Sequence, residues 1–462
     1  MANSYAMDMT TGSLFKKIVR FSVPIILANL LQILYNAADL IVVGQFAANQ
    51  DAVGAVGATN ALVSLLTNLF IGVSIGVNVV VAHAIGAQRK EEVKTIIGTA
   101  TIIGAVCSVI GVAVGFFFSG TFLHWMGTPE ALQDLAATYL RIYFFGVPAL
   151  IFYNFFTAVL RAYGDTKRPL YFLILSGAIN VVLNIFFVAG CSMDVEGVAL
   201  ATVISQYISA FLAFLVLLRS KDYCRFSRKH LKWNGYYGKK ILTIGLPSGV
   251  YSTMFSFSNV IIQSAANSFG SAVVVKGMAA ASSIEGFIYT PMNSVSVANT
   301  SFVSQNVGAK RFDRVRKCIR ESLVIVVIAW LIPATTALFF RNALLSFYAP
   351  GDALAIEYGA ARLVCMVSLY FLCGIMDTFS STLRGMGKSM LCSIAGIVGV
   401  CGLRLAFIFA IFYPTKAYLS VNQSLTVLYS TYPVSWIVTA AVLMLLTYAE
   451  IRKREKKYNL VY

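Results

Sequence analysis

Stretches of about 20 apolar residues, each long enough at about 1.5 Å per residue to span a bilayer, follow one another along almost the whole chain. Twelve can be marked, at roughly 21–44, 53–84, 95–118, 137–160, 169–190, 197–218, 241–265, 273–305, 319–340, 360–383, 390–412 and 425–449. Composition agrees, since 58% of the 462 residues are hydrophobic and only 12% charged, outside the range of soluble domains. The expected fold is an all-α polytopic membrane protein with 12 transmembrane helices. The stretch after Lys16, Lys17 and Arg20 is too long for the h-region of a signal peptide and reads as the first span.

The chain also repeats itself. Ala84-Ile-Gly-Ala-Gln-Arg-Lys-Glu-Glu-Val93, after the second stretch, returns after the eighth as Asn306-Val-Gly-Ala-Lys-Arg-Phe-Asp-Arg-Val315. Val159-Leu-Arg-Ala-Tyr-Gly164 returns as Thr382-Leu-Arg-Gly-Met-Gly387, in a register that differs by a single position, and Pro247 follows Pro24 in the register of this second pair. Internal duplication of a polytopic chain marks secondary transporters, whose halves rock around a site near the midplane. The expected organisation is a six-helix bundle at 1–218, a basic cytoplasmic linker at 219–240, and a second six-helix bundle with a basic cytoplasmic tail at 241–462. An even number of spans keeps both halves in one orientation. The repeat is then parallel, with a pseudo-twofold axis along the membrane normal and a cavity between the bundles.

A formal net charge of +17 raises the question of nucleic acid, and its distribution answers it. Of 36 Lys and Arg residues, 30 fall on one side, in clusters at 16–20, 89–94, 161–168, 219–240, 310–320, 384–388 and 452–457. The opposite loops near 45–51, 119–136 and 191–196 hold none. This is the positive-inside pattern, which puts both termini and the central loop in the cytoplasm. The partner expected for the basic ends is the lipid bilayer, not nucleic acid. The eight cysteines show no CxxC spacing and read as small core residues, not as a disulfide or zinc framework.

Two motifs are decoys. Gly72-Val-Ser-Ile-Gly76 matches the GxSxG nucleophile elbow, but it sits inside a long apolar helix rather than at a strand-to-helix turn. Small-xxx-small helix packing is the better reading. Gly387-Lys388-Ser389 resembles the end of a P-loop, yet the first glycine of that motif would fall on Thr382. With no ATP site and no nucleophile–base pair, neither an ATP-driven pump nor an intramembrane enzyme is expected.

Ionisable side chains inside spans need a reason, since a carboxylate at a helix centre costs about 2.5–3.5 kcal/mol on insertion scales. Asp39, Glu285, Asp377 and Arg404 are such positions. Gln32, Asn36 and Asp39 follow spacings that place them on one helix face. A carboxylate beside amide oxygens can hold a proton or join a hard-cation site. Asn180 and Asn184 form a second polar stripe, with Thr202 in the next helix; such groups can coordinate Na⁺ or serve as interhelical glue. Glu285, Asp377 and Arg404 either line a substrate cavity, where the acids attract cations, or form an acid–Arg404 pair within the second bundle.

Several segments together resemble one family. Asn36-Ala-Ala-Asp39 with Gly44, Gly86-Ala-Gln-Arg89, Leu160-Arg-Ala-Tyr-Gly-Asp-Thr-Lys167 and Gly197-Val-Ala-Leu-Ala-Thr202 carry the likeness in the first half. Ala281-Ser-Ser-Ile-Glu285, Ser304-Gln-Asn-Val-Gly-Ala309 and Leu383-Arg-Gly-Met-Gly387 carry it in the second. The chain is similar, from about 14 to 449, to the multidrug and toxic compound extrusion (MATE) transporters, and closest to their prokaryotic branch. The resemblance implies two six-helix bundles forming a V, in the plasma (inner) membrane of a prokaryote, working as a monomer. It implies a secondary antiporter that exports organic, often cationic, drug-like compounds by alternating access. No cofactor is implied beyond a coupling ion, Na⁺ or H⁺.

By the same likeness the coupling cation falls at Asp39, Asn180, Asn184 and Thr202. Gln32, Asn36 and Asn154 would face the cavity of the first half, and Glu285, Asp377 and Arg404 that of the second. Family members often carry an acid where this chain has Asn184, so a Na⁺ site here holds one formal charge fewer and proton coupling stays open. The alternative function is a flippase for a lipid-linked sugar, from the wider superfamily with this architecture. A flippase is expected to have added helices or a cationic central cavity, and Arg404 is the one base that reads as clearly buried.

Overall fold

The computed structural model describes residues 6–46, 52–126, 128–220 and 224–458. Parts of three expected loops, at 47–51, 127 and 221–223, lie outside the described residues. The first half holds α1 (Leu14–Phe46), α2 (Ala52–Gly86), α3 (Lys90–Trp125), α4 (Glu130–Tyr163), α5 (Lys167–Gly190) and α6 (Val195–Arg219). The second holds α7 (Gly235–Asn267), α8 (Ala272–Gly308), α9 (Phe312–Phe339), the short α10 (Arg341–Tyr348), α11 (Ala353–Ser368), α12 (Phe371–Gly385), α13 (Ser389–Lys416) and α14 (Val421–Lys457). Among the described residues there is no strand.

Ten of these helices are long and apolar enough to cross a membrane, and α11 with α12 form a further span bent by 47°. The 33-residue α7 completes twelve; Ser, Thr, Asn and Gln in its second half lower its hydropathy. Inside such a helix a hydroxyl can bond the carbonyl one turn back, as Ser248 Oγ does with Ile244 O at 2.8 Å. The tenth span departs from the expectation of one helix over 360–383. It begins at Ala353 and breaks at Leu369 and Tyr370, with no proline to mark the place. Trp330 Nε1 donates to Val367 O at 2.8 Å, supporting a carbonyl at the break.

Packing divides the chain into two compact units, Met1–Asp8 with Val23–Gly249 and Met9–Ser22 with Val250–Tyr462. Residues 224–240, within the stretch read as a linker, belong to the first unit together with the start of α7. The first turns of α1 belong to the second unit. Each boundary inside a helix falls close to a proline, Pro24 in α1 and Pro247 in α7.

The repeat seen in the sequence is present in the backbone. The turn after α2 places Gln88 at φ 60° and the turn after α8 places Lys310 at φ 58°. Arg89 N–H donates to Ala84 O at 3.0 Å, as Arg311 N–H does to Asn306 O at 2.8 Å. The turns after α4 and α12 match likewise: Asp165 N–H reaches Leu160 O and Lys388 N–H reaches Leu383 O, both at 2.9 Å. Such bonds satisfy carbonyls left open at helix ends. A π-helical turn at Ile185–Gly190 in α5 recurs at Ile408–Phe412 in α13. Turns of this kind are frequent at functional sites, and the first of them directly follows Asn184.

Within the first unit, the GxSxG decoy is a helix-packing face. A Cβ on Gly72 would overlap the backbone of Gly249, and one on Gly76 would overlap Ile241 O and Gly245 of α7. Ser74 Oγ donates to Ile71 O in its own helix at 2.7 Å. Small residues here let α2 and α7 approach backbone to backbone. Gly72→Val should therefore lower the thermal unfolding midpoint of the detergent-purified protein, by an overpacking cost of roughly 1–3 kcal/mol. Gly57→Ala, at an open helix position, should leave it unchanged or raise it.

Candidate functional site

In the first unit a tyrosine and a glycine bring α1 against α5. A Cβ on Gly177 would overlap the Tyr35 ring, and Tyr35 Oη donates to Ile174 O at 3.4 Å. One turn further along α1, Asp39 then meets the polar stripe of α5. Asn184 Nδ2 donates to Asp39 Oδ1 at 2.5 Å and to Asn180 Oδ1 at 3.3 Å. Asn184 is fully buried, and its Oδ1 has no hydrogen-bond partner among the described residues. On α6 the buried Thr202 Oγ1 also has none. The stacked Tyr139 and Tyr143 of α4, ring centroids 6.1 Å apart, lie on this side of the unit, Tyr139 within electrostatic reach of Asp39.

Three of the four expected cation-site residues, Asp39, Asn180 and Asn184, are thus joined by hydrogen bonds, while Thr202 is not bonded to them. Gln32 and Asn36 are exposed and bond each other at 3.3 Å, apart from that cluster. Asn154 Nδ2 is turned to its own helix, donating to Leu150 O at 2.8 Å. Tyr139 carries no sequence signal beyond being one of many aromatics.

The second unit holds a half-open cavity of about 240 Å³. Glu285 of α8 and Arg362 of α11 line it and form a bidentate pair, with Nε to Oε1 at 2.7 Å and Nη2 to Oε2 at 2.8 Å. The acid–base pair expected between Glu285 or Asp377 and Arg404 is made instead by Arg362. In the sequence Arg362 falls at the start of the window 360–383, where a base marks a span end, whereas α11 begins already at Ala353 and carries it into the unit's interior.

Arg404 of α13 is also buried and makes no ion pair among the described residues. Its Nε donates to Ser435 Oγ at 3.1 Å, and its Nη1 to Ser258 Oγ at 3.2 Å and Asn259 Oδ1 at 3.0 Å. Tyr432 lies between the two bases, its ring centroid 4.3 Å from the Arg404 guanidinium carbon and 5.9 Å from that of Arg362. Asp377 Oδ2 accepts from Tyr289 Oη at 3.1 Å, and Asn293 Nδ2 donates to that hydroxyl at 3.0 Å. Tyr289, Tyr370 and Trp436 continue as a stack along the cavity wall. Of the three, Glu285 lines the cavity together with Arg362, while Asp377 and Arg404 stand behind its wall, bonded to the lining residues Tyr289 and Asn259.

A model of the MatE family matches residues 24–186 and 247–410, two segments that begin at the paired prolines Pro24 and Pro247. The chain belongs to the MatE family. It is a multi-pass membrane transporter, not an enzyme. It is 29% identical over 415 residues to "Probable multidrug resistance protein YoeA" of Bacillus subtilis, covering 87% of this chain and 88% of that one. It is 31% identical to "Probable multidrug resistance protein YpnP" of the same organism, covering 67% and 69%. Among solved structures it superposes on one described as the outward-facing conformation of a multidrug resistance MATE family transporter of the MOP superfamily. That match has a TM-score of 0.89 at 21% identity, covering 99% of this chain and all of that one.

The Glu285–Arg362 pair sets an expectation for stability. Arg362→Met leaves a buried carboxylate without its partner and should cost about 3–5 kcal/mol, while Glu285→Met combined with Arg362→Met should recover most of that. Chemical unfolding of the two variants in detergent checks the ordering.

Proposed function

We propose that the chain exports organic compounds by alternating access of its two repeats, driven by inward movement of a proton on Asp39. It acts as a single chain in the plasma membrane of a bacterium, with both termini in the cytoplasm, as the one-sided placement of Lys and Arg supports. The observation that carries the coupling assignment is the bond from Asn184 to Asp39. It points the donor end of the amide at a lone carboxylate. A Na⁺ ion at this place would need several oxygen ligands drawn together around it, and with the amide nitrogen held at Asp39 Oδ1 only one formal charge would face the ion. Asp39 can take up and release a proton without any such rearrangement.

One charge moving through 100 mV releases about 2.3 kcal/mol, which sustains some 40-fold accumulation. One-for-one exchange against a monovalent cation cancels that electrical drive, and exchange against a neutral or anionic compound does not. Names of the relatives, which speak of multidrug resistance, support a broad range of organic substrates. A lipid-linked-sugar flippase is a second reading, favoured by Arg362, which joins Arg404 as a buried base.

Expression in a drug-sensitive bacterial host, followed by efflux of a panel of cationic, neutral and anionic dyes at fixed pH with and without Na⁺, separates these. Wild type should pump without Na⁺, and Asp39→Asn should lose nearly all efflux. Unchanged efflux in Asp39→Asn removes the role given to that residue, a Na⁺ requirement replaces the proton, and no dye efflux by wild type transfers weight to the flippase.

A further inference from the structure

At the cavity of the second unit the unmet polar groups of the lining residues are donors. Arg362 uses Nε and Nη2 to hold Glu285, and its Nη1 has no hydrogen-bond partner among the described residues although the residue is 4% exposed. Trp436, 1% exposed, lines the same cavity, and its Nε1 also lacks an acceptor. Arg404, 1% exposed, stands behind Tyr432 and Asn259 with a third such group, Nη2. An indole N–H and a guanidinium can only donate. A buried donor left unmet is costly, and a charged one more so.

The acids nearby do not answer these donors. Glu285 is committed to Arg362 through both oxygens, and Asp377 accepts from Tyr289. The cationic charge of Arg404 meets hydroxyl and amide oxygens and the rings of Tyr432 and Phe255, and no carboxylate among the described residues. Around the donors stand the flat faces of Tyr289, Tyr370 and Trp436.

We propose that this cavity binds the carboxylate or phosphate group of an aromatic or amphipathic substrate, with Arg362 Nη1 and Trp436 Nε1 donating to its oxygens and the aromatic stack holding its apolar body. Arg404 adds the positive potential that favours an anion. The assignment narrows the exporter reading to a substrate class and rests on it. The oxygens can belong to a soluble organic anion or to a lipid headgroup, since both offer the same acceptors. Because the Glu285 charge is neutralised at close range, an organic cation gains little here.

The test uses the purified full-length chain in phosphatidylcholine nanodiscs, titrated calorimetrically with probes of one shape. These are 2-naphthoate and 2-naphthyl phosphate as anions, 2-naphthalenemethanol as the neutral compound, and 2-naphthylmethylammonium as the cation. Both anions should bind about tenfold or more tightly than the other two, as expected for charge-assisted hydrogen bonds within an apolar site. Trp436→Phe keeps a ring and removes the N–H, and should weaken the anions about tenfold while leaving the neutral probe unchanged. Glu285→Met with Arg362→Met removes the pair without stranding a charge, and should abolish the preference for anions. Neutral or cationic probes binding as tightly as the anions would overturn the proposal, as would anion binding unaltered in both variants.

Lysophosphatidylglycerol displacing naphthoate supports the site and assigns it to a lipid headgroup; failure to displace supports the site with a soluble anion as its occupant. Naphthoate binding with no export of any compound from cells keeps the site and overturns the exporter reading. Export without anion preference keeps the exporter and overturns the site.

Discussion

A hydrocarbon interior offers no hydrogen-bond partners, and this one constraint orders the whole molecule. Backbone groups are met by their own helices, so the chain crosses as helix throughout. Side-chain polar groups inside the spans must find partners in neighbouring helices or carry a cost. Asn299 shows how they do so: its Nδ2 reaches Ser381 Oγ at 2.8 Å and Thr382 Oγ1 at 2.9 Å, tying α8 to α12. Among the buried groups left unmet, two sets carry the functional proposals. One is the Asp39–Asn184 cluster with its open oxygens, and the other is the donor-rich cavity around Arg362 and Trp436.

Symmetry separates scaffold from chemistry. Turns, capping bonds, paired prolines and a π-helical turn recur in the second half in one common register, to within a single position. The acids inside the spans do not recur, for in the register set by the prolines Asp39 corresponds to Ile262 and Asp377 to Asn154, and one position away Glu285 corresponds to Val63. Among the described residues the unmet atoms of the first cluster are oxygens, of Asn184 and Thr202, and those at the cavity of the second are nitrogens, of Arg362 and Trp436. That is the complementarity expected when one unit carries a cation and the other an anionic group.

Much of this was legible in residue order, for definite reasons. Span length and the positive-inside pattern mark a polytopic chain, and the alignment of its repeats needs no structure. The face shared by Gln32, Asn36 and Asp39 follows from helical spacing, but which neighbour it meets does not. Only the structure brings Asp39, and not Gln32, to Asn184, 145 residues away. The Glu285–Arg362 pair spans 77 residues, and Arg362 lay too near a window's edge to stand out. The bend at Leu369 and Tyr370 is set by tertiary packing, with neither proline nor glycine at the break to announce it.

The account depends on a division of labour, with a proton on Asp39 in one unit and substrate in the other. The most direct measurement is the proton count released when substrate binds to the purified chain in weakly buffered solution. Wild type should release protons on binding, whereas Asp39→Asn should bind with similar affinity and release none. Proton release that persists in Asp39→Asn, or loss of substrate binding along with it, would contradict that division.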